Sequence, residues 1–147
     1  MFKFKYFFIA LSMLMVLAAC KSGPVPIRVG KDACHFCQMS ITDTRYAIEG
    51  MNSNGKLFIF DDVHCLQKFM AENKVKIDQQ KIWVANYNEP QNWIPFQDAI
   101  LIHNEAFRSP MGGNYAAFPN MESANKMQHT VPDSVTIISG KSLLQIK

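Results

Sequence analysis

The chain has no low-complexity tract and no cluster of basic residues. The first absence, together with 48% hydrophobic and 18% charged residues, excludes extended disorder and leaves an ordinary globular composition. The second excludes a nucleic-acid footprint, which needs a clustered basic face. A long apolar run is missing as well. The longest, Tyr6 to Val16, is too short for an ordinary membrane span. At 147 residues the chain is long enough for one domain, or for two small lobes sharing a core, and too short for two ordinary domains.

What stands at the N-terminus is a targeting segment. Lys3 and Lys5 precede the apolar run, and Leu17-Ala18-Ala19-Cys20 places small residues before a cysteine. That is the layout of a secretory signal. Leu-Ala-Ala-Cys looks like a bacterial lipobox, which implies a signal over residues 1–19, cleavage before Cys20 and lipid on its sulfur. The mature protein is then anchored to a membrane of the bacterial cell envelope and faces the periplasm. Loss of Lys3 and Lys5 leaves 13 basic against 12 acidic groups, so the mature net charge falls from +3 to +1. Lys21 to Pro26, with Ser, Gly and two prolines, suits an extended tether. Ile27-Arg28-Val29 is expected as a first short strand, making 20–30 the anchor segment.

Cysteines are few, and after Cys20 they are odd in number: Cys34, Cys37 and Cys65. Disulfides prevail outside the cytoplasm, so at least one thiol is left over in the monomer. Such a thiol is a liability unless buried, lipidated or bound to metal.

From Tyr46 the pattern predicts strand (46–51), an Asn54-Gly55 turn, strand (56–60), a helix from about Asp62 to Glu72 on Val63, Leu66, Phe69 and Met70, then strand (82–87). Pro90 and Pro95 mark a loop. The order then recurs: strand 99–103, a long loop with Pro110 and Gly112-Gly113, strand 115–118, a helix Met121–His129 capped by Asn120, and strand 135–138. The expected fold is α+β, with two similar ββαβ lobes over about 31–89 and 90–147 that bury shared sheet faces.

The chemistry gathers in Asp32-Ala33-Cys34-His35-Phe36-Cys37-Gln38-Met39. Thiolate and thioether together favour a soft metal such as Cu(I). On one α-helix Met39 would sit about 200° round from Cys37, so the three sulfurs converge only if the motif is a turn leading into extended chain. A redox dithiol usually opens a helix that lowers its pKa, and Ser40-Ile41-Thr42-Asp43-Thr44 offers none. Zinc needs a second pair of strong ligands; His64-Cys65 would be that pair, but helical neighbours point about 100° apart. A structural Cys34–Cys37 disulfide stays open, as does an extracytoplasmic thiol-disulfide oxidoreductase using the same cysteines, or a lipoprotein that only mediates protein contact.

At these residues the sequence resembles the NosL family of lipoproteins, accessory proteins of nitrous-oxide reductase maturation. The likeness runs through Cys20, Asp32, Cys34, Cys37 and Met39, Phe60-Asp61-Asp62 before a helix with Cys65, Trp83 to Tyr87, Ala99, Pro110-Met111-Gly112, and Ala117-Phe118 before a helix with Ala124. The resemblance implies two ββαβ lobes and a copper chaperone, not an enzyme, that binds Cu(I) outside the membrane and delivers it to a copper-accepting client by ligand exchange. It places Cys34, Cys37, Met39 and Met111 at the metal. His35 and His64 stand where small residues are commoner in the family and are added candidates, with Cys65, which otherwise fits a buried core. Met70, Met121 and Met127 fit core stripes, His103 and His129 the surface, and Trp83 and Trp93 packing.

Overall fold

The computed structural model describes residues 23–145 apart from 73, 74 and 133. The expected signal segment and Cys20 lie outside the described residues. Ile27-Arg28-Val29 forms no strand; instead the Arg28 carbonyl accepts from the N–H groups of Lys31 (3.0 Å) and Asp32 (2.9 Å) and turns the chain.

The first sheet starts as a hairpin, β1 (Ile48–Asn52) and β2 (Leu57–Phe60), paired from Ile48 opposite Phe60 to Met51 opposite Leu57. Its turn uses Gly55 at φ 79 and the Asn52 side chain, which accepts from the N–H groups of Asn54 and Lys56. Only glycine takes that backbone region without strain. Helix α1 (Val63–Ala71) follows, capped by Asp62 and burying Val63, Cys65 and Leu66. The chain returns as β3 (Ile77–Asn86), antiparallel to β1.

Beyond β3 the expected loop is a strand. β4 (Glu89–Pro95) pairs with β3 and makes the sheet order β2-β1-β3-β4. Prolines cannot donate to a ladder, but an edge strand needs donors on one side only, and β4 is that edge. The second lobe contains β5 (Ile100–His103), β6 (Tyr115–Phe118), α2 (Met121–Gln128) and β7 (Thr136–Ser139), in sheet order β6-β5-β7. Asn120 caps α2 by accepting from the Ser123 N–H at 2.9 Å. In each lobe the first strand sits between its hairpin partner and the strand that follows the helix, so the ββαβ repeat holds in space as well as in order. An added short helix, α3 (Gly140–Gln145), closes the chain and buries Leu143.

The lobes share a core. One buried cluster takes Phe58, Phe60, Leu66, Ile82 and Val84 from the first and Leu101, Ala117 and Leu143 from the second. A second cluster mixes Tyr46 with Ile102, Phe107, Phe118 and Ala124. A backbone bond also crosses, from the Tyr87 N–H to the Ala117 carbonyl at 2.9 Å.

Candidate metal centre

The sulfur motif is a tight loop, as convergence of its side chains requires. Ala33 and Ser40 form an isolated antiparallel bridge. Inside it the Cys34 N–H donates to the Met39 carbonyl (2.9 Å), the Gln38 N–H donates to the Cys34 carbonyl (3.0 Å), and Gln38 takes φ 63. His35 fastens this loop to the open edge of β2: its N–H donates to the Ile59 carbonyl (2.8 Å), and its Nδ1 accepts from the Ile59 N–H (3.0 Å). Its ring meets Phe58 edge-on at 5.2 Å.

Directly beneath lies Cys65, in the first turn of α1. The Sγ atoms of Cys34, Cys37 and Cys65 all lie within 4.8 Å of one another, and none of the three is in a disulfide. Cys34 and Cys65 are wholly buried, whereas Cys37 is partly exposed. Cys65 is thus core and candidate ligand at once. Neither His35 nor His64 belongs to this group: the Nδ1 of His35 is engaged with β2, and His64, next to Cys65 on the helix, points about 100° away.

The trio is electrostatically unequal. Cys34 is held well below an ordinary thiol, first because the Cys65 thiol donates to it, and further by the N–H groups of Cys37, Phe36 and Asp61, which together outweigh burial. Cys65 is pushed up by that same hydrogen bond and by burial, and Cys37 mainly by burial. Cys34 is thus the sulfur most readily ionised, and Cys37 and Cys65 hold their protons more tightly. Asp61 is buried beside it, its Oδ1 has no hydrogen-bond partner, and its carboxyl is pushed up to about 6 by burial and by the charges of Cys34 and Asp62.

The thioethers differ in setting. Met39 is 50% exposed, although its N–H donates to the Cys37 sulfur. Met111 is partly buried and packs against the core cluster that holds Cys34 and Cys65. Of the methionines expected as core, Met70 and Met127 pack against the two clusters, but Met121, first residue of α2, is 46% exposed. His103 lies against Tyr115 at 4.8 Å and His129 is exposed. Sequence reasoning missed the second task of Asp62. Besides capping α1 it accepts from the loop that carries Met111.

Three sulfurs at bonding reach, two of them sealed from water, suit a soft monovalent metal. The fold and the site define a sulfur-rich metal-binding domain of two ββαβ lobes. The NosL family model matches residues 24–131, and the chain belongs to that family. Among solved structures, the copper chaperone NosL from Shewanella denitrificans is similar at TM-score 0.63 and 14% identity, over 78% of this chain and 92% of that one. Among curated proteins no sequence match is found.

Proposed function

We propose that the protein is a lipid-anchored, extracytoplasmic Cu(I) carrier that holds the ion on Cys34, Cys37 and Cys65, with Met39 and Met111 as thioether ligands at the outer side, and delivers it by ligand exchange. The observation that carries this reading is the cluster of three reduced cysteine sulfurs within 4.8 Å. Cys34 offers a ready thiolate, and binding releases the protons of Cys37 and Cys65. Cys37 is the ligand a client can reach, so exchange begins there while the two buried sulfurs retain the ion. Cu(I) takes at most about four of these five sulfurs at once, so the weakly held thioethers yield first to an incoming donor. The family resemblance favours nitrous-oxide reductase maturation as the destination of the copper, and Cys20 is the proposed lipid attachment site.

The oxidoreductase alternative is weaker on this geometry. A redox nucleophile must be both accessible and thiolate; here the low-pKa thiol is Cys34, which is buried, and the accessible one, Cys37, is pushed the other way.

The test uses the Cys20→Ser domain, reduced, with Cu(I) offered in a competing chelator. One ion per chain is expected, with affinity falling by about 100-fold or more in Cys34→Ser and by about 10-fold in Met39→Ala. Failure to draw copper from the chelator ends the copper reading; insulin reduction at a rate above background would revive the redox one.

A further inference from the structure

Resting on the reading that Met111 is a copper ligand, we infer that Asp62 is the positioning residue that assembles the site across the two lobes. Its carboxylate is 1% exposed and is divided between two tasks. Oδ1 accepts from the Cys65 N–H at 3.1 Å, in the first turn of α1. Oδ2 accepts three bonds from the second lobe: the Ser109 hydroxyl at 2.6 Å, the Met111 N–H at 3.1 Å and the Gly113 N–H at 3.0 Å. One side chain thus fixes the backbone of a thiol ligand from the first lobe and of a thioether ligand from the second, the latter 49 residues along the chain from Asp62.

The loop is shaped to reach that oxygen. Gly112 at φ 72 and Asn114 at φ 52 curl it, and Ser109 and Asn114 close it on each other, the Asn114 N–H donating to Ser109 Oγ at 2.8 Å and the Ser109 N–H to Asn114 Oδ1 at 3.0 Å. Asn114 is itself held by Glu105 at 2.7 Å. At Gly113 a Cβ would come within 3.0 Å of the His64 backbone N and 3.1 Å of Asp62 Oδ2, so the loop lies as close to α1 as a backbone can. A buried carboxylate satisfied by four donors is a rigid support, since moving any one of them leaves charge or amide unpaired. The contact a cap needs is one bond; the other three concern only the Met111 loop.

Asp62→Asn separates these tasks. Its amide oxygen still caps α1, while its NH2 group meets three donors and repels the loop. The measurement is the Met111 methyl resonance of protein labelled with [methyl-13C]methionine, titrated with buffered Cu(I), alongside affinity from chelator competition. In the parent domain the methyl shifts at one equivalent. In Asp62→Asn the shift is lost, affinity falls by about 10-fold, as in Met111→Ala, and combining the two changes adds nothing further. Ser109→Ala, which deletes one bond to Oδ2 and leaves the cap in place, provides a mild variant that gives a partial loss of the same kind should Asp62→Asn unfold. A Met111 shift and affinity unchanged in both variants overturn the role of Asp62 while leaving Met111 a ligand; no Met111 shift in the parent domain overturns the ligand reading and this inference with it.

Discussion

Glu49 sits in the middle of β1, opposite Ile59 and Trp83, and is wholly buried. Its Oε2 accepts from the Val25 N–H at 2.9 Å, and its Oε1 has no partner. Burial, outweighing the Val25 bond, pushes its carboxyl from the ordinary 4.5 up to about 7. The folded protein therefore binds a proton more tightly than the unfolded chain does, so Glu49 costs nothing below about pH 4.5, destabilises progressively as pH rises to about 7, and costs no more beyond that. The stability difference between Glu49→Gln and the parent should move in favour of the variant by about 3 kcal/mol between pH 4 and pH 8, read from urea melts at each pH. A difference that stays flat with pH would show that Glu49 does not carry the buried charge. The sequence hid this residue. Alternation marks Glu49 as the solvent side of a hairpin, and what covers it is the tether segment, whose backbone carries no signal of where it lies. Cys65 reads as a core position with ligation as its second option, and only the docking of the 33–40 loop over α1 brings its sulfur to those of Cys34 and Cys37.

At the scale of elements, what could be read from sequence was what local chemistry dictates. Asn54-Gly55 demands a turn, Asn120 and Asp62 cap helices, and the lack of a helical run after Met39 leaves the motif a loop; each holds in the structure. β4 and α3 could not be read because both depend on distant partners. The prolines of β4 are tolerated only on an edge, and α3 is one short turn-and-a-half fixed by where Gly140 lands. A Cβ on Gly140 would stand 1.7 Å from the Phe96 carbonyl oxygen, a backbone atom that cannot rotate away. Gly140→Ala is expected to cost about 3 kcal/mol, seen as a lower urea midpoint with an unchanged slope. A midpoint within error of the parent would mean that α3 packs elsewhere.

Over the whole molecule the two lobes behave as one unit, because neither encloses its own core. Tyr46, from the first lobe, donates its hydroxyl to the Phe107 carbonyl of the second. Tyr87 lies against Tyr46 at 5.6 Å, Phe107 at 5.2 Å and Phe118 at 6.0 Å. Burial shared in this way couples the sheets, so loss of one exposes the other and a single cooperative transition is expected. Tyr46→Phe keeps the ring and removes the hydroxyl, which leaves one buried carbonyl short of a donor and costs about 1–2 kcal/mol. Tryptophan emission reports the first sheet, which holds Trp83 and Trp93; amide exchange in β5 to β7 reports the second. Both should shift together in Tyr46→Phe, and Cu(I) should raise both together, since a ligand that binds only the folded state stabilises whatever unfolds with its site. Separate midpoints for the two probes would mean that the lobes are independent bodies, and the proposed site, which draws Cys65 from one lobe and Met111 from the other, would then lack a fixed frame.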